Sequence, residues 1–477
     1  MVLQRDRAVA VWGSAAPGER IAVEFAGVKV ETLAGDEGRW RVDLPAMAAS
    51  KESRELVARG VDVQGNQSEV KLSDVLVGEV WYCAGQSNAE MPLVGDNPHF
   101  SDRQGRLVAA MTDKPCIRYV YACNFEFSTE PQSTAPYRVI WKKFTPANLL
   151  AAPSFSAIGV YFALELFSAL DVPVGIVGSY WGGTNIDAWT PREGYAGCPG
   201  LKATAERKLV GKDEWKDELK QGPINAGHQQ PTVLWNHLVE PWCPMTMRGF
   251  IWYQGCHNAF ESELYAEKMH ALYNGWSKKF ENPALRLYFV QLAPFQRSWW
   301  GLQLAQAKFA AEEPNAEMVT TVDIGNGVDV HPNEKGTVGK RLAALALRHD
   351  YGFENLVADA PVLRGICSEE GRLILSFKNA NGWYVYEPSW GVDYGLELAG
   401  PDGEWKKAYI VNVNGGAKTA KPWWTNGKGE GRDLVLAADG IEKPMKVRYL
   451  FNKPWVGTIY ADSGLPLGPF EAEVKIK

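Results

Sequence analysis

Residues 1–73 alternate between apolar and polar positions. The alternation runs through Arg20 to Val30, Gly38 to Leu44 and Arg54 to Val63. Turn-forming residues at Pro17-Gly18, Gly35-Asp36 and Gly60 or Gly65 separate these runs. A period of two between turn signals predicts short half-buried strands, so this stretch reads as a small β-sandwich-like module.

The texture changes near Ser73, where short apolar runs begin to alternate with segments of helical period. Val75 to Ala84, Val172 to Gly178, Met247 to Tyr253, Leu285 to Leu292 and Met318 to Ile324 read as buried strands. Between them, Ser156 to Leu170, Glu263 to Phe280, Leu302 to Glu312 and Lys335 to His349 carry helical spacing. Strand and helix in alternation predict an α/β domain over 74–350, a parallel sheet with helices on both faces. From Tyr351 the pattern returns to β. Leu373 to Phe377, Lys407 to Val413, Asp433 to Ala437 and Met445 to Phe451 are joined by Gly-, Asn- and Asp-rich turns, which predicts a β-rich module over 351–477. Leu201 to Gln221 is charged and reads as a helical surface insertion.

The chain has 477 residues, room for roughly three domains at about 150 residues each. Its net charge of -6, with no block of like charge, argues against nucleic acid as a partner, because phosphate binding needs a basic face. No run approaches the roughly 18 apolar residues of a membrane span. The start lacks an apolar h-region. The expectation is a secreted or periplasmic protein with its leader removed, and a cytoplasmic location stays open. Seven cysteines leave at least one unpaired thiol; one or two disulfides, for example involving Cys116 and Cys123, stay open. Nineteen tryptophans are an excess that core packing absorbs first, with stacking on sugar rings as the secondary use.

Four segments follow strands of the α/β region, where ligands of open sheets bind. Gly85-Gln86-Ser87-Asn88-Ala89-Glu90 follows the first and exposes a serine on a strand-to-helix turn; Ser87 and Glu90 also have capping-box spacing. Ala89 breaks the Gly-x-Ser-x-Gly elbow. Gly178 to Thr184 contains Gly182-Gly183, a tight turn or a backbone donor for an oxyanion. Trp252 to Asn258 offers the Asn258 amide for the same task, with an Asx turn as the plainer reading. Cys256-His257 as a nucleophile pair is disfavoured, because neighbours on an extended segment point apart. Gly327 to Lys335 carries His331, held out of the α region by Pro332, with Asp329 two residues earlier. One Ser, His and Asp, a Gly-Gly and an Asn supply the parts of acyl transfer.

With these segments assembled, the sequence resembles the sialate O-acetylesterase family of SGNH hydrolases. The matching words are MVLQR at the start, GEVWYCAGQSNAEMPL at 78–93, PVGIVGSYWGGTNIDAW at 173–189, RGFIWYQGCHNA at 248–259, DVHPNEKGTVGKRLA at 329–343 and VRYLFNKPWVGTIYADSGLPLGPF at 447–470. The resemblance implies an SGNH-type three-layer α/β/α catalytic domain with a parallel sheet, flanked by the two β modules. It implies Ser87 as nucleophile, His331 as base and Asp329 as the acid beside it, with Asp323 as a weaker candidate. The oxyanion hole would comprise Ser87, Gly183 and Asn258. Gln86, Trp181 and Gln254 are candidates for substrate contact. Of Trp181, Trp189 and Trp252, at least two are expected in the core. No cofactor or metal is called for.

The resemblance also has departures. Where the family usually reads Gly-Glu-Ser-Asn, this chain reads Gly255-Cys256-His257-Asn258, and Ala89 replaces the usual Met. The expected activity is removal of acetyl groups from a carbohydrate, sialic acid or a plant polysaccharide such as xylan. The competing class is a carbohydrate-binding protein that keeps the fold without catalysis.

Overall fold

The structure is a computed structural model that describes residues 1–151, 154–211, 227–297, 299–386, 394–411, 433–454 and 456–474. The chain divides into two compact units, Met1–Tyr253 with Glu267–Leu287, and Gln254–Ala266 with Tyr288–Lys477.

The first unit opens with β1 (Val2–Gln4), β2 (Val9–Ser14), β3 (Arg20–Phe25), β4 (Val28–Leu33), β5 (Arg39–Leu44), β6 (Ser50–Val61) and the long β7 (Gln67–Gly85). The run Arg20 to Val30 is two strands rather than one. Ala26 and Gly27 both take positive φ (51° and 82°) and fold it into a β3–β4 hairpin. β4, β3, β6 and the first half of β7 pair antiparallel, and β2 pairs with β5. Val9, Val23, Phe25, Leu44, Leu56 and Val75 close a core between them.

The second half of β7 has a different character. Every residue from Val75 to Gly85 is buried, as expected of a strand covered on both faces. It pairs parallel with β10 (Val174–Tyr180) on one side and β11 (Gly249–Tyr253) on the other. β10 continues to β8 (Lys114–Tyr121), and β9 (Lys142–Phe144) joins antiparallel at the edge. The register aligns Tyr180 with Gly85 and Tyr253 with Gly85, so three strands end level with one another. The segments that follow Gly85 and Tyr180 therefore emerge side by side.

Helices α1 (Ser87–Glu90), α2 (Gly105–Met111), α3 (Pro146–Ala151), α4 (Ala157–Leu170) and α5 (Lys202–Ala205) complete this unit with part of α6 (Ser262–Lys279). Ser156 caps α4 through its hydroxyl, and Asp171 ends it in the left-handed region. The expected helix from Leu201 is confined to α5; residues 206–211 are not helical, and the rest of that segment lies outside the described residues.

In the second unit β12 (Arg286–Val290, in this unit from Tyr288) neighbours β13 (Ala316–Val319), with α7 (Trp300–Glu312) between them in sequence and α8 (Lys335–Asp350) after. The run Met318 to Ile324 is strand only to Val319. Thr321 turns its hydroxyl onto the Gln291 carbonyl at 2.6 Å, and the chain then enters a loop with positive φ at Gly325 and Gly327. Beyond it lie antiparallel sheets. One has the order β14 (Val362–Glu369), β15 (Arg372–Lys378), β20 (Leu434–Ala437), β19 (Tyr409–Ile410). Another has β18 (Trp405–Lys407), β17 (Leu396–Ala399), β21 (Lys446–Tyr449), β23 (Phe470–Glu473); β16 (Trp383–Val385) pairs with β22 (Ile459–Ala461). Leu373, Leu375, Leu396, Leu398, Leu434 and Val447 pack between them, fully buried. Of the run Lys407 to Val413, residues 412 and 413 lie outside the described residues.

None of the seven cysteines forms a disulfide, which corrects the disulfide expectation for Cys116 and Cys123. Burial pushes the Cys83 and Cys123 thiols up to about 12 and about 11, so they behave as packing groups. Among the described residues, no helix is long and apolar enough to cross a membrane.

Candidate active site

Ser87 sits one turn beyond the level strand ends. Gly85 makes the exit with φ 142°, and a Cβ there would lie 2.2 Å from the Tyr253 carbonyl oxygen, so only glycine fits. Gln86 donates its N–H to that same carbonyl at 3.1 Å and serves as N-cap of α1. Gln86, Asn88 and Ala89 are buried, while Ser87 is half-open.

The capping-box reading does not hold, because the cap residue is Gln86 and the Glu90 carboxylate turns elsewhere. It accepts the Gly182 N–H at 2.5 Å. Burial raises the affinity of Glu90 for its proton, and the Gly182 N–H opposes this. A Cβ at Gly182 would meet the Ser87 Cβ at 3.4 Å, so the 181–183 segment runs directly along the serine.

The next residue, Gly183, is exposed with φ 72°. Its carbonyl accepts the Gln229 side-chain N–H at 2.6 Å. Gln229 is itself locked, its Oε1 accepting the Asn185 N–H at 2.9 Å and its carbonyl accepting Asn185 Nδ2 at 2.8 Å. The Gly182-Gly183 turn is thus held from two sides, by a carboxylate before it and an amide after it. A turn fixed in this way is a rigid N–H carrier of the kind that stabilises developing negative charge.

The three tryptophans separate as expected. Trp189 and Trp252 are buried and meet edge to face at 6.2 Å between ring centroids. Trp181 is half-buried beside Gly182.

In the second unit Gly255 takes φ 151° and opens a 3-10 turn, Cys256–Glu261. Asn258 on that turn is fully buried. Its Oδ1 accepts Gln254 Nε2 at 2.7 Å, and its Nδ2 donates to Glu261 at 2.7 Å. Tyr265 donates to Gln254 Oε1 at 2.8 Å. This chain of bonds fixes which way the Asn258 amide faces. Cys256 and His257 are neighbours on a turn of three residues, which sets their side chains about 120° apart. Burial lowers the His257 pKa.

His331 lies in the loop before α8. Asn326 Oδ1 accepts the N–H groups of Val328 and Asp329, both at 2.9 Å, and Asp329 Oδ1 accepts the His331 N–H at 2.8 Å. Burial and the nearby Lys335 ammonium hold the His331 imidazole below its ordinary 6.5; the Asp329 carboxylate acts in the opposite sense. His331 is half-buried rather than a solvated loop histidine. The weaker candidate Asp323 has both oxygens on Arg341, at 2.7 and 2.6 Å.

The structure therefore brings Ser87, Gln86 and Gly183 together in the first unit. In the second it brings Gln254 to Asn258, and Asp329 to His331. Glu90, Gln229 and Glu261 escaped the sequence reading as supports. Glu261 had a legible signal, a carboxylate three residues beyond Asn258 on a helical turn. Gln229 had none, since it reaches Gly183 across 46 residues.

Two other features are distinct from these groups. An apolar cavity of about 240 Å³, lined by Trp12, Trp141 and Trp242, lies beside Met1–Gln4 at the opposite end of the parallel part of β7 from Ser87. Among the described residues, Glu317, His349 and Asp359 are close enough to share a cation, but Asp359 is already paired with Arg348 at 2.8 Å and His349 at 2.7 Å.

A half-open serine beside a rigid glycine turn at parallel strand ends is compatible with a hydrolase, and comparison with known proteins gives that class as the carbohydrate esterases. The family described as carbohydrate esterase, sialic acid-specific acetylesterase matches residues 77–348, and the chain belongs to it. Sialate O-acetylesterase of Rattus norvegicus is 27% identical over 417 residues, covering 77% of this chain and 74% of the relative. The Homo sapiens protein of the same name is 28% identical over 399 residues, covering 76% and 71%. A crystal structure of a carbohydrate acetylesterase from Xanthomonas citri superposes with a TM-score of 0.80 at 31% identity, covering 99% of this chain and 97% of that one.

Proposed function

We propose that this protein hydrolyses acetyl esters on carbohydrate through an acetyl-enzyme on Ser87. His331 removes the Ser87 proton as the oxygen attacks the acetyl carbonyl, and Asp329 steadies the imidazole. The negative charge that develops on the carbonyl oxygen is met by the N–H groups of Ser87 and Gly183 and by the Asn258 amide. Collapse expels the sugar hydroxyl, which takes the proton from His331. Water, deprotonated by His331, then releases acetate and restores the serine. The proposal includes the finer architecture, an SGNH-type three-layer catalytic domain over 74–350 between sandwich-like modules at 1–73 and 351–477.

The observation that carries this reading is the Ser87 environment. A half-open serine stands beside a glycine turn clamped by Glu90 and Gln229. Family membership supports the chemistry, and the lowered His331 pKa suits a base that works in its neutral form.

A second reading concerns the sugar. The Xanthomonas citri relative, 31% identical, is a carbohydrate acetylesterase, and the two mammalian relatives, 27% and 28% identical, are sialate O-acetylesterases, so acetylated sialic acid and another acetylated carbohydrate are both carried forward as substrates. The test is acetate release from acetylated xylan, from O-acetylated sialic acid and from p-nitrophenyl acetate, by wild type and Ser87→Ala. Turnover is expected to fall by at least about 10³-fold in the variant. Equal background rates in both would bring the non-catalytic binding protein forward.

A further inference from the structure

Phe125 combines two features that a folding chain ordinarily avoids. Its side chain is large and apolar, yet 47% exposed. Its backbone has φ 57°, a region that bulky L-residues rarely adopt. The loop around it is held on both sides. Ala122 N–H bonds the Gly178 carbonyl at 2.8 Å, His237 Nε2 lies 3.0 Å from Asn124 Oδ1, and Ser128 N–H bonds the Val233 carbonyl at 3.1 Å. The exposure is therefore imposed by an anchored loop.

The Phe125 ring stands edge-to-face against Trp181, with centroids 5.5 Å apart and planes at 88°. Trp181 in turn lies parallel to the His228 ring, 4.5 Å away and tilted by 9°. The three rings form a right-angled corner. Its middle member is the residue next to Gly182, the residue packed along Ser87. Phe127 ties the two loops together, because its ring occupies the place where Gly227 would carry a Cβ (2.4 Å), one residue before His228. Gln229, on the other side of His228, grips Gly183. The corner and the oxyanion turn share one support.

We propose that Phe125, Trp181 and His228 form a sugar-binding corner that takes the C–H face of a pyranose ring of the acetylated glycan. This deepens the esterase reading and rests on it. Carbohydrate C–H faces are apolar patches on a polar molecule, and aromatic rings match them. Strain and exposure are retained at Phe125 because an aromatic ring at that point serves ligand contact better than it serves the fold.

The experiment uses Phe125→Gly, which removes the ring and suits a positive φ, with Phe125→Tyr as the conservative variant. Steady-state kinetics are measured on acetylated xylo-oligosaccharide, O-acetylated sialic acid and p-nitrophenyl acetate. In Phe125→Gly, KM for at least one of the two sugars is expected to rise about fivefold or more. The effect on p-nitrophenyl acetate should be at least threefold smaller. Phe125→Tyr should restore KM, and the melting temperature of Phe125→Gly should hold or rise. Equal effects on sugars and p-nitrophenyl acetate, no effect on any, or a fall in melting temperature would overturn the corner. Titration calorimetry of the same two sugars, deacetylated, into Ser87→Ala protein with and without Phe125→Gly reads the corner without turnover. Loss of sugar binding on removing the ring supports it, and unchanged or absent binding counts against it. If Ser87→Ala matches wild type on p-nitrophenyl acetate, the esterase reading fails separately from this one.

Discussion

Two strand ends in this protein share one backbone device and differ in what it presents, a half-open serine at one and a buried asparagine at the other. Gly85 and Gly255 both leave a strand with φ above 140° and both open a short helical turn, over Ser87–Glu90 and Cys256–Glu261. After Gly85, the residue two positions on is a half-open serine, and the carboxylate of the turn reaches away to clamp Gly182. After Gly255, the residue three positions on is a fully buried asparagine, and the carboxylate of the turn reaches back to hold it. A reacting group needs access and freedom to change partners. A charge-stabilising dipole needs the reverse, a fixed direction set before the charge appears. The carboxylate stands three residues on from Ser87 and from Asn258 in the two turns, and its partner, the Gly182 N–H or the Asn258 amide, separates the two outcomes.

The glycines give the bluntest way to break the comparison. Gly85→Ala sets a Cβ against backbone, 2.2 Å from the Tyr253 oxygen, whereas Gly255→Ala meets the movable end of Leu302 at 2.7 Å. Gly85→Ala is expected to prevent folding, and Gly255→Ala to cost about 1–3 kcal/mol, as read by thermal or denaturant unfolding. Equal losses would show that the two exits are not constrained differently.

Asn258→Ala comes next. If Asn258 is the proposed oxyanion donor, its loss is expected to lower kcat by about 10²–10³ with little change in KM. A rise in KM with kcat intact would assign Asn258 to ground-state binding instead.

Asp329→Asn tests the base. The asparagine Oδ1 keeps an acceptor for the His331 N–H, while the charge that raises the His331 pKa is removed. As the proposed base His331 would act when neutral, and burial with the Lys335 ammonium holds its pKa below the ordinary 6.5, so kcat/KM is expected to rise with pH along a limb centred below that value. In Asp329→Asn this limb should move to still lower pH while the plateau falls by about 10² or more. A shifted limb with an intact plateau would leave Asp329 as a loop brace.

Glu261→Gln is the smallest change. It keeps an acceptor for Asn258 Nδ2 and removes only the charge, so kcat should fall by about tenfold or less, corresponding to 1.4 kcal/mol or less. Glu261→Ala should fall further, towards Asn258→Ala. If both glutamate variants match wild type, the carboxylate does not orient the amide.

Much of the fold was legible because its signals are local. Val75 to Ala84 announces a doubly covered strand by lacking polar side chains at every position but Glu79, and Ser156 announces the start of α4 by its cap. The hairpin at Ala26-Gly27 was missed because an alternation of period two continues across a two-residue turn. Met318 to Ile324 was read as strand to its end, since apolar content alone does not reveal that Thr321 bonds sideways to Gln291. The disulfide suggestion failed for a related reason, because cysteine count carries no distances.

The candidate chemistry divides along the same line. By itself the sequence determined which residue types stand after which strands: Ser87, the Gly182-Gly183 pair, Asn258, and His331 with Asp329. These depend on chain order and on motifs only a few residues long. Only the tertiary structure decided what holds them. The register that ends β7, β10 and β11 level, the grip of Gln229 on Gly183 and the meeting of Phe125 with Trp181 and His228 join residues tens of positions apart. Such contacts are set by packing and by satisfying buried polar groups across the folded chain, and no local pattern encodes them.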